Sequence, residues 1–324
     1  MSEKRKGQIL LLLALSESEK ARILETAPGW ELLDGRGGKT LEETAALLAE
    51  AEIAIGWRKQ LELSLTPDSR LRWVQAWGAG VDSIDCKRFA EHGVLLTNAS
   101  GVHAYPISET ILGMMLAFAR KLHLTTRNQA QANWQLVGPL GEIHGRTVGI
   151  LGVGAIGEET ARLCRAFGMT VLGVRRSGEP SPQVDEMYNL AGLPDVLRRS
   201  DYVVNTLPLT SETRQLIGRE QFALMPDRAV YINIGRGATT DTEAMIEALA
   251  SGRLGGAGLD VFEQEPLPAS SPLWALDNVI VTPHNAGSTV HYQERALEVF
   301  LHNLRDYAAG REPSRNRVDL DRQY

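Results

Sequence analysis

Val148-Gly149-Ile150-Leu151-Gly152-Val153-Gly154-Ala155-Ile156-Gly157 is the stretch that decides the fold. An apolar run leads straight into glycines spaced G-x-G-x-x-G, and a helical pattern over 156–167 follows at once. The glycines answer separate demands of a strand-to-helix turn that receives a pyrophosphate. Gly152 permits the tight turn, Gly154 lets phosphate approach the backbone, and Gly157 allows the helix to pack on the strand. Amides at the helix start then hold the anion. Such glycines also serve ordinary turns, but the strand before and the helix after make this one a dinucleotide site.

Outward from that turn, short apolar runs alternate with helical patterns, the mark of parallel α/β architecture. Downstream strands are expected at 147–151, 170–174, 201–206, 229–234, 256–260 and 278–281. A final helix is expected at 289–309, with Gly310 ending it. Upstream, strands are expected at 8–15, 52–55, 72–75 and 94–97, a helix at 41–50, and one long, largely buried helix at 105–123. The chain has 324 residues, 43% hydrophobic, which suits two domains of about 100–200 residues each.

The end of the strand after the glycine turn selects the cofactor. An NAD enzyme usually places Asp or Glu there, on the ribose hydroxyls. Here Arg175, Arg176 and Ser177 stand in that place. Guanidinium groups pair with a 2′-phosphate that an acid would repel, so NADP is favoured over NAD. An Arg-Arg pair at a strand end is otherwise a solvated surface feature.

Bulk properties exclude several classes. A formal net charge of −6 gives no footprint for nucleic acid. Two cysteines, Cys86 and Cys164, make neither a disulfide framework nor a metal site, and fit a reducing, cytoplasmic setting. The start MSEKRKG followed by apolar 9–15 resembles a signal peptide, but no small-residue cleavage site follows. Ser16-Glu17-Ser18-Glu19-Lys20 reads instead as a helix cap, which makes the apolar run a buried first strand. The stretch 107–119 is too short and too polar to span a membrane.

Three later segments carry polar groups just after apolar strands, where open α/β sheets bind ligands. They are Ile232-Asn233-Ile234-Gly235-Arg236-Gly237, Leu259-Asp260-Val261-Phe262-Glu263-Gln264-Glu265-Pro266 and Val281-Thr282-Pro283-His284-Asn285-Ala286-Gly287. Singly, Arg236 could be an ion-pair partner, Glu265 a loop acid and His284 a satisfied loop histidine. Together, after a dinucleotide turn, they read as a catalytic set.

With these segments, 148–157, and Asn205-Thr206-Leu207-Pro208-Leu209-Thr210-Ser211-Glu212-Thr213, the chain resembles the D-isomer-specific 2-hydroxyacid dehydrogenase family over nearly its whole length. Trp77-Gly78-Ala79-Gly80-Val81-Asp82-Ser83-Ile84-Asp85 resembles the family's carboxylate-binding loop. The resemblance implies a Rossmann cofactor domain, 103–287, inserted into a discontinuous flavodoxin-like substrate domain, 1–102 and 288–324. Both are doubly wound parallel sheets, with the active site in the cleft.

It implies roles as well. Arg236, with the amides of Ala79, Gly80 and Val81, would bind the substrate carboxylate. His284 would exchange a proton with the substrate oxygen, and Glu265 would fix its tautomer and oppose its charge. Asp260 would accept from the nicotinamide carboxamide. Ala155 and Ile156 would lie at the pyrophosphate, Leu207 and Pro208 beside the adenosine, and Thr213, Ile234, Gly235 and Gly287 would complete the cofactor side. Tyr105-Pro106-Ile107-Ser108-Glu109, and Trp57 as a substrate contact, resemble the glyoxylate/hydroxypyruvate reductase branch. Trp57, Trp77 and Trp134 could equally line a pocket for a larger keto acid. The family further implies a homodimer, through 105–123 and 129–140.

The chain departs from the family at Asn98-Ala99-Ser100-Gly101, which stands where Asn-x-Pro-Gly is usual, and at Asn285, where a small or apolar residue is usual. Formate dehydrogenases pair their His with Gln, so Glu265 argues against that chemistry. A phosphite dehydrogenase keeps a similar triad. A corepressor-like interaction module could keep it too, but the long extensions and basic region of such proteins have no counterpart here.

Overall fold

The computed structural model describes residues 7–36, 39–58, 62, 65–81 and 83–321. The charged start, residues 1–6, and Asp82 of the carboxylate loop lie outside the described residues. The chain divides into two units, residues 1–102 with 290–324, and residues 103–289.

The first unit is built on five parallel strands: β1 (Gln8–Leu11), β2 (Glu31–Asp34), β3 (Ile53–Ile55), β4 (Trp73–Gln75) and β5 (Leu95–Thr97). Their order, β2-β1-β3-β4-β5, is the flavodoxin-like arrangement. Ser16 caps α1 (Glu17–Thr26) in a reciprocal capping box with Glu19, and Thr40 does the same with Glu43 for α2 (Leu41–Glu50). A short α3 (Cys86–Glu91) follows β4. β1 stops at Leu11, four residues before its apolar run ends, because only Leu12 among the remaining four still donates to the sheet, to the Ile55 carbonyl.

The second unit carries α4 (Ala104–Ala119) and α5 (Leu122–Ala130), then the alternation β6 (Thr147–Leu151), α6 (Ala155–Ala166), β7 (Thr170–Val174), β8 (Glu186–Tyr188), α7 (Leu193–Arg199), β9 (Tyr202–Asn205), α8 (Arg219–Leu224), β10 (Ala229–Asn233), α9 (Thr242–Ala250), β11 (Leu254–Leu259) and β12 (Val279–Val281). All pairings are parallel, in the order β12-β11-β10-β9-β6-β7-β8. The order reverses between β6 and β9, the switch point where doubly wound sheets bind nucleotides. The expected α/β class, with a flavodoxin-like and a Rossmann sheet, is therefore what the chain forms.

The single helix expected over 105–123 is two helices. α4 ends at Ala119 with Arg120 as its C-cap, and Lys121 enters the left-handed region at φ 53°, its ammonium donating to the Val137 carbonyl at 2.8 Å. Phe118 and His123 keep ring contact across this break, with centroids 4.9 Å apart. The last helix, α10 (Tyr292–Ala308), returns to the first unit, where Phe300 and Tyr307 pack on Trp73. Both cysteines are buried, and burial pushes the Cys164 thiol up to about 12. Among the described residues no helix is long and apolar enough to cross a membrane.

Candidate active site

β6 delivers the glycine turn to the carboxyl edge of the second unit's sheet. Gly152 takes φ 95°, a left-handed conformation that glycine adopts at no steric cost, and donates to the Val174 carbonyl at the end of β7. A side chain at Gly157 would meet the Gly152 carbonyl at 2.9 Å, so the close helix–strand approach needs glycine. At Gly154 an added Cβ would meet nothing within 4 Å. Gly154 is also the N-cap of α6, which has no side-chain cap. An open glycine before an uncapped twelve-residue helix is what a pyrophosphate needs, with the Ala155 and Ile156 amides as its donors.

The turn after β9 lies against it. Thr206 Oγ1 donates to the carbonyls of Leu151 and Gly152 at 3.0 and 2.6 Å, and the Leu207 amide donates to Asn205 Oδ1. A Cβ at Gly235, after β10, would meet the Leu207 carbonyl at 2.6 Å. The ends of β6, β9 and β10 thus bring Gly152, Leu207 and Gly235 together. Thr213 bonds within its own loop, donating to Pro208 O and accepting from the Thr210 amide.

Arg175 follows β7, its amide bonded to the Tyr188 carbonyl. The guanidinium donates from Nη2 to Pro180 O at 3.0 Å, while Nε is buried without a hydrogen-bond partner. Ser177 Oγ accepts from the Glu179 amide. Arg176 is exposed. A cationic group with an unspent donor at this strand end fits an anionic substituent on the adenosine ribose.

Arg236 sits on a turn whose shape is set from beneath. Asn233 Nδ2 and Thr239 Oγ1 both donate to the Arg236 carbonyl, and Asn233 Oδ1 accepts from the Gly235 amide. Asn205 Nδ2 donates to Tyr231 Oη and Thr239 Oγ1, and Tyr231 Oη bonds Thr240 Oγ1 at 2.7 Å. These side chains are buried, and desolvation pushes the Tyr231 phenol up to about 12. A satisfied buried network of this kind is rigid. Sequence reasoning passed over it, although polar residues ending two apolar strands, Asn205 and Asn233, were its visible sign.

His284 and Glu265 meet directly: Nδ1 lies 2.6 Å from Oε2. The other Glu265 oxygen accepts from the Phe262 amide at 2.9 Å. Burial pushes the Glu265 carboxyl up, but the His284 and Phe262 hydrogen bonds and the charges of His284 and Arg236 outweigh it. The net effect holds Glu265 below the usual carboxylate range.

Asp260, nearly fully buried, organises the His284 turn. Its Oδ1 accepts from Thr282 Oγ1 at 2.6 Å and the Asn285 amide at 3.0 Å, and both oxygens accept from the Ala286 amide. His284 itself has φ 49°. His103 Nδ1 secures the far end of the turn on the Gly287 carbonyl at 2.9 Å. Ile234 is buried between the Asn233 and Gly235 contacts.

The other expected contacts belong to the first unit. Asn98 Nδ2 donates to the Ala79 carbonyl and the Ala99 amide to Gly78 O, which pins the turn bearing Gly80 and Val81. Ser100 is held there too, its amide on Asn98 Oδ1 and its carbonyl accepting from Asn316. Trp57 packs edge-on to Phe89 with its indole nitrogen buried and unpartnered.

Residues 112–286 match the family model described as D-isomer specific 2-hydroxyacid dehydrogenase, NAD binding domain. Glyoxylate/hydroxypyruvate reductase B of Serratia proteamaculans is 37% identical over 282 residues, covering 84% of this chain and 85% of that protein. D-3-phosphoglycerate dehydrogenase of Methanocaldococcus jannaschii is 33% identical over 84% of this chain, which spans only 53% of that longer protein. Among solved structures, the NADPH-dependent glyoxylate/hydroxypyruvate reductase of Sinorhizobium meliloti, in complex with NADP and sulfate, superposes with a TM-score of 0.80. It is 30% identical, over 98% of this chain and all of that one.

Proposed function

The chain belongs to the D-isomer specific 2-hydroxyacid dehydrogenase family, and we propose that within it the protein reduces a small 2-keto acid to the D-2-hydroxy acid with NADPH. The observation that carries this reading is the 2.6 Å His284–Glu265 pair on the sheet edge that also bears the dinucleotide turn. A bound NADPH supplies the hydride. Glu265 occupies His284 Nδ1, which leaves Nε2 to hand its proton to the keto oxygen as that oxygen gains charge. Arg236, fixed through its own carbonyl, takes the substrate carboxylate as a charge-assisted pair. Asp260 holds the backbone on which His284 rides, so the donor meets the oxygen without reorganising.

NADP over NAD rests on Arg175, Arg176 and Ser177, and on the NADP carried by the Sinorhizobium relative. Glyoxylate and hydroxypyruvate are the first substrates to consider, from the named activities of the two reductases. Assembly as a cytoplasmic homodimer belongs to the same reading. The segment after α5 favours it by presenting Trp134, Leu136 and Leu140 to solvent, an apolar set that a second copy would cover. The test is a panel of 2-keto acids assayed with NADPH and NADH in parallel, in which NADPH-driven reduction of at least one keto acid is expected.

A further inference from the structure

Arg175 is flanked by two carboxylates. Glu158 Oε1 lies 3.8 Å from Nη1, and Glu179 Oε2 lies 3.7 Å from Nη2. Glu158 stands in the first turn of α6, one residue beyond Gly157, with its amide on the Gly154 carbonyl. Glu179 is positioned by Ser177 Oγ, and Pro180 O fixes the guanidinium between the two acids. Neither acid is buried, and Arg175 is itself 23% exposed, so these are weak, solvent-screened ion pairs. They do not lock the arginine away. They do place two negative charges beside the group assigned to the 2′-phosphate.

We propose that Glu158 and Glu179 are specificity-tuning residues that hold back the preference for NADP(H) over NAD(H). The idea rests on the reading of Arg175 as the 2′-phosphate partner. A phosphate monoester carries about −1.5 to −2 charges near neutrality. Arriving at Arg175, it meets two carboxylates already there and must share the guanidinium with both. NADH has no such group and feels Glu158 only through the pyrophosphate that both cofactors share. The acids therefore weaken NADP(H) more than NAD(H) and keep the oxidised cofactor releasable, a useful property where product release limits turnover. Glu158 is also well placed at a helix N-terminus, so its position has a structural benefit independent of the cofactor.

Equilibrium binding of NADPH and NADH, measured by calorimetry, separates the possibilities. The proteins compared are the wild type, Glu158→Gln, Glu179→Gln, the double variant and Arg175→Ala. Glu158→Gln should tighten NADPH about three- to tenfold at low ionic strength, with NADH within twofold of wild type, and high salt should shrink the gain. The double variant should exceed either single one. Unchanged or weaker NADPH binding in both single variants, or an equal shift for NADH, overturns the proposal. Arg175→Ala tests the underlying reading separately: if it leaves NADPH binding unchanged, Arg175 does not hold the phosphate and both ideas fall. If it weakens NADPH while the Glu variants do nothing, only the tuning role fails.

Discussion

His284 Nδ1 and Glu265 Oε2 lie 2.6 Å apart, and the second Glu265 oxygen is held by the Phe262 amide, so the carboxylate is anchored on both sides. Glu265 sits below the usual carboxylate range, because the His284 and Phe262 hydrogen bonds and nearby cations outweigh its partial burial. The stability from that depression is therefore present above the ordinary carboxylate range and lost only as pH falls through the lowered value. Glu265→Gln removes the carboxylate that holds His284 Nδ1, so kcat should drop, and the fall in reduction rate at acid pH that comes from protonating Glu265 should disappear. A variant with unchanged kcat and an unmoved acid limb in its pH–rate profile would show that the pair does not govern proton donation.

The Asp260 turn makes a second expectation. Asn at this position keeps one acceptor but presents an NH₂ group toward amides that now donate to a carboxylate. Hydrogen bonds to a buried charge contribute about 1.5–3 kcal/mol each, so Asp260→Asn should lower unfolding stability by roughly that much. It should lower kcat more than it raises KM for NADPH, since His284 loses its backbone support. Denaturant titration together with steady-state kinetics checks both, and full activity at reduced stability would limit Asp260 to a structural part.

The glycine turn separates folding from binding. Gly157→Ala puts a methyl 2.9 Å from the Gly152 carbonyl, and overpacking of this sort costs about 1–3 kcal/mol. Gly154→Ala meets nothing within 4 Å, so its fold should persist while NADPH binding falls, the methyl occupying the space the phosphates need. Thermal unfolding and cofactor titration of the two variants should give opposite patterns. Intact NADPH affinity in Gly154→Ala would move the pyrophosphate elsewhere.

Much of this was legible in the sequence, for definite reasons. The glycine spacing, the strands feeding Arg236, Glu265 and His284, and the Ser16 cap are local patterns, and local patterns survive folding. What escaped is what tertiary contact decides. The break at Lys121 is a single left-handed residue inside an unbroken apolar rhythm. The half-exposed edge strand β2 is four residues long, with acids at both ends. The Asn205–Tyr231–Thr239 network joins residues from two strands and a turn. Family resemblance assigns Asp260 to the nicotinamide carboxamide, and only the folded chain displays the backbone amides it also holds.

Cofactor choice follows from Arg175. NADPH should exceed NADH in kcat/KM by at least about tenfold at low salt, close to 1.4 kcal/mol. That is less than one unopposed charge-assisted contact provides, because Glu158 and Glu179 share the guanidinium. Arg175→Asp should erase or reverse the preference, mainly through KM, since the phosphate is remote from the hydride. Equal efficiency with both cofactors in the wild type would reduce the arginines to a solvated pair.

The most direct test of keto-acid reduction through His284 is NADPH oxidation with glyoxylate, hydroxypyruvate and larger 2-keto acids, the wild type beside His284→Gln. The wild type should turn over at least one of them. His284→Gln should lose about 10²–10⁴-fold, the usual contribution of a general acid, while binding NADPH as before. A wild type that binds NADPH but reduces none of these acids would point to an interaction module. A well-folded His284→Gln variant keeping more than about a third of the activity, against that range, would remove His284 from the chemistry.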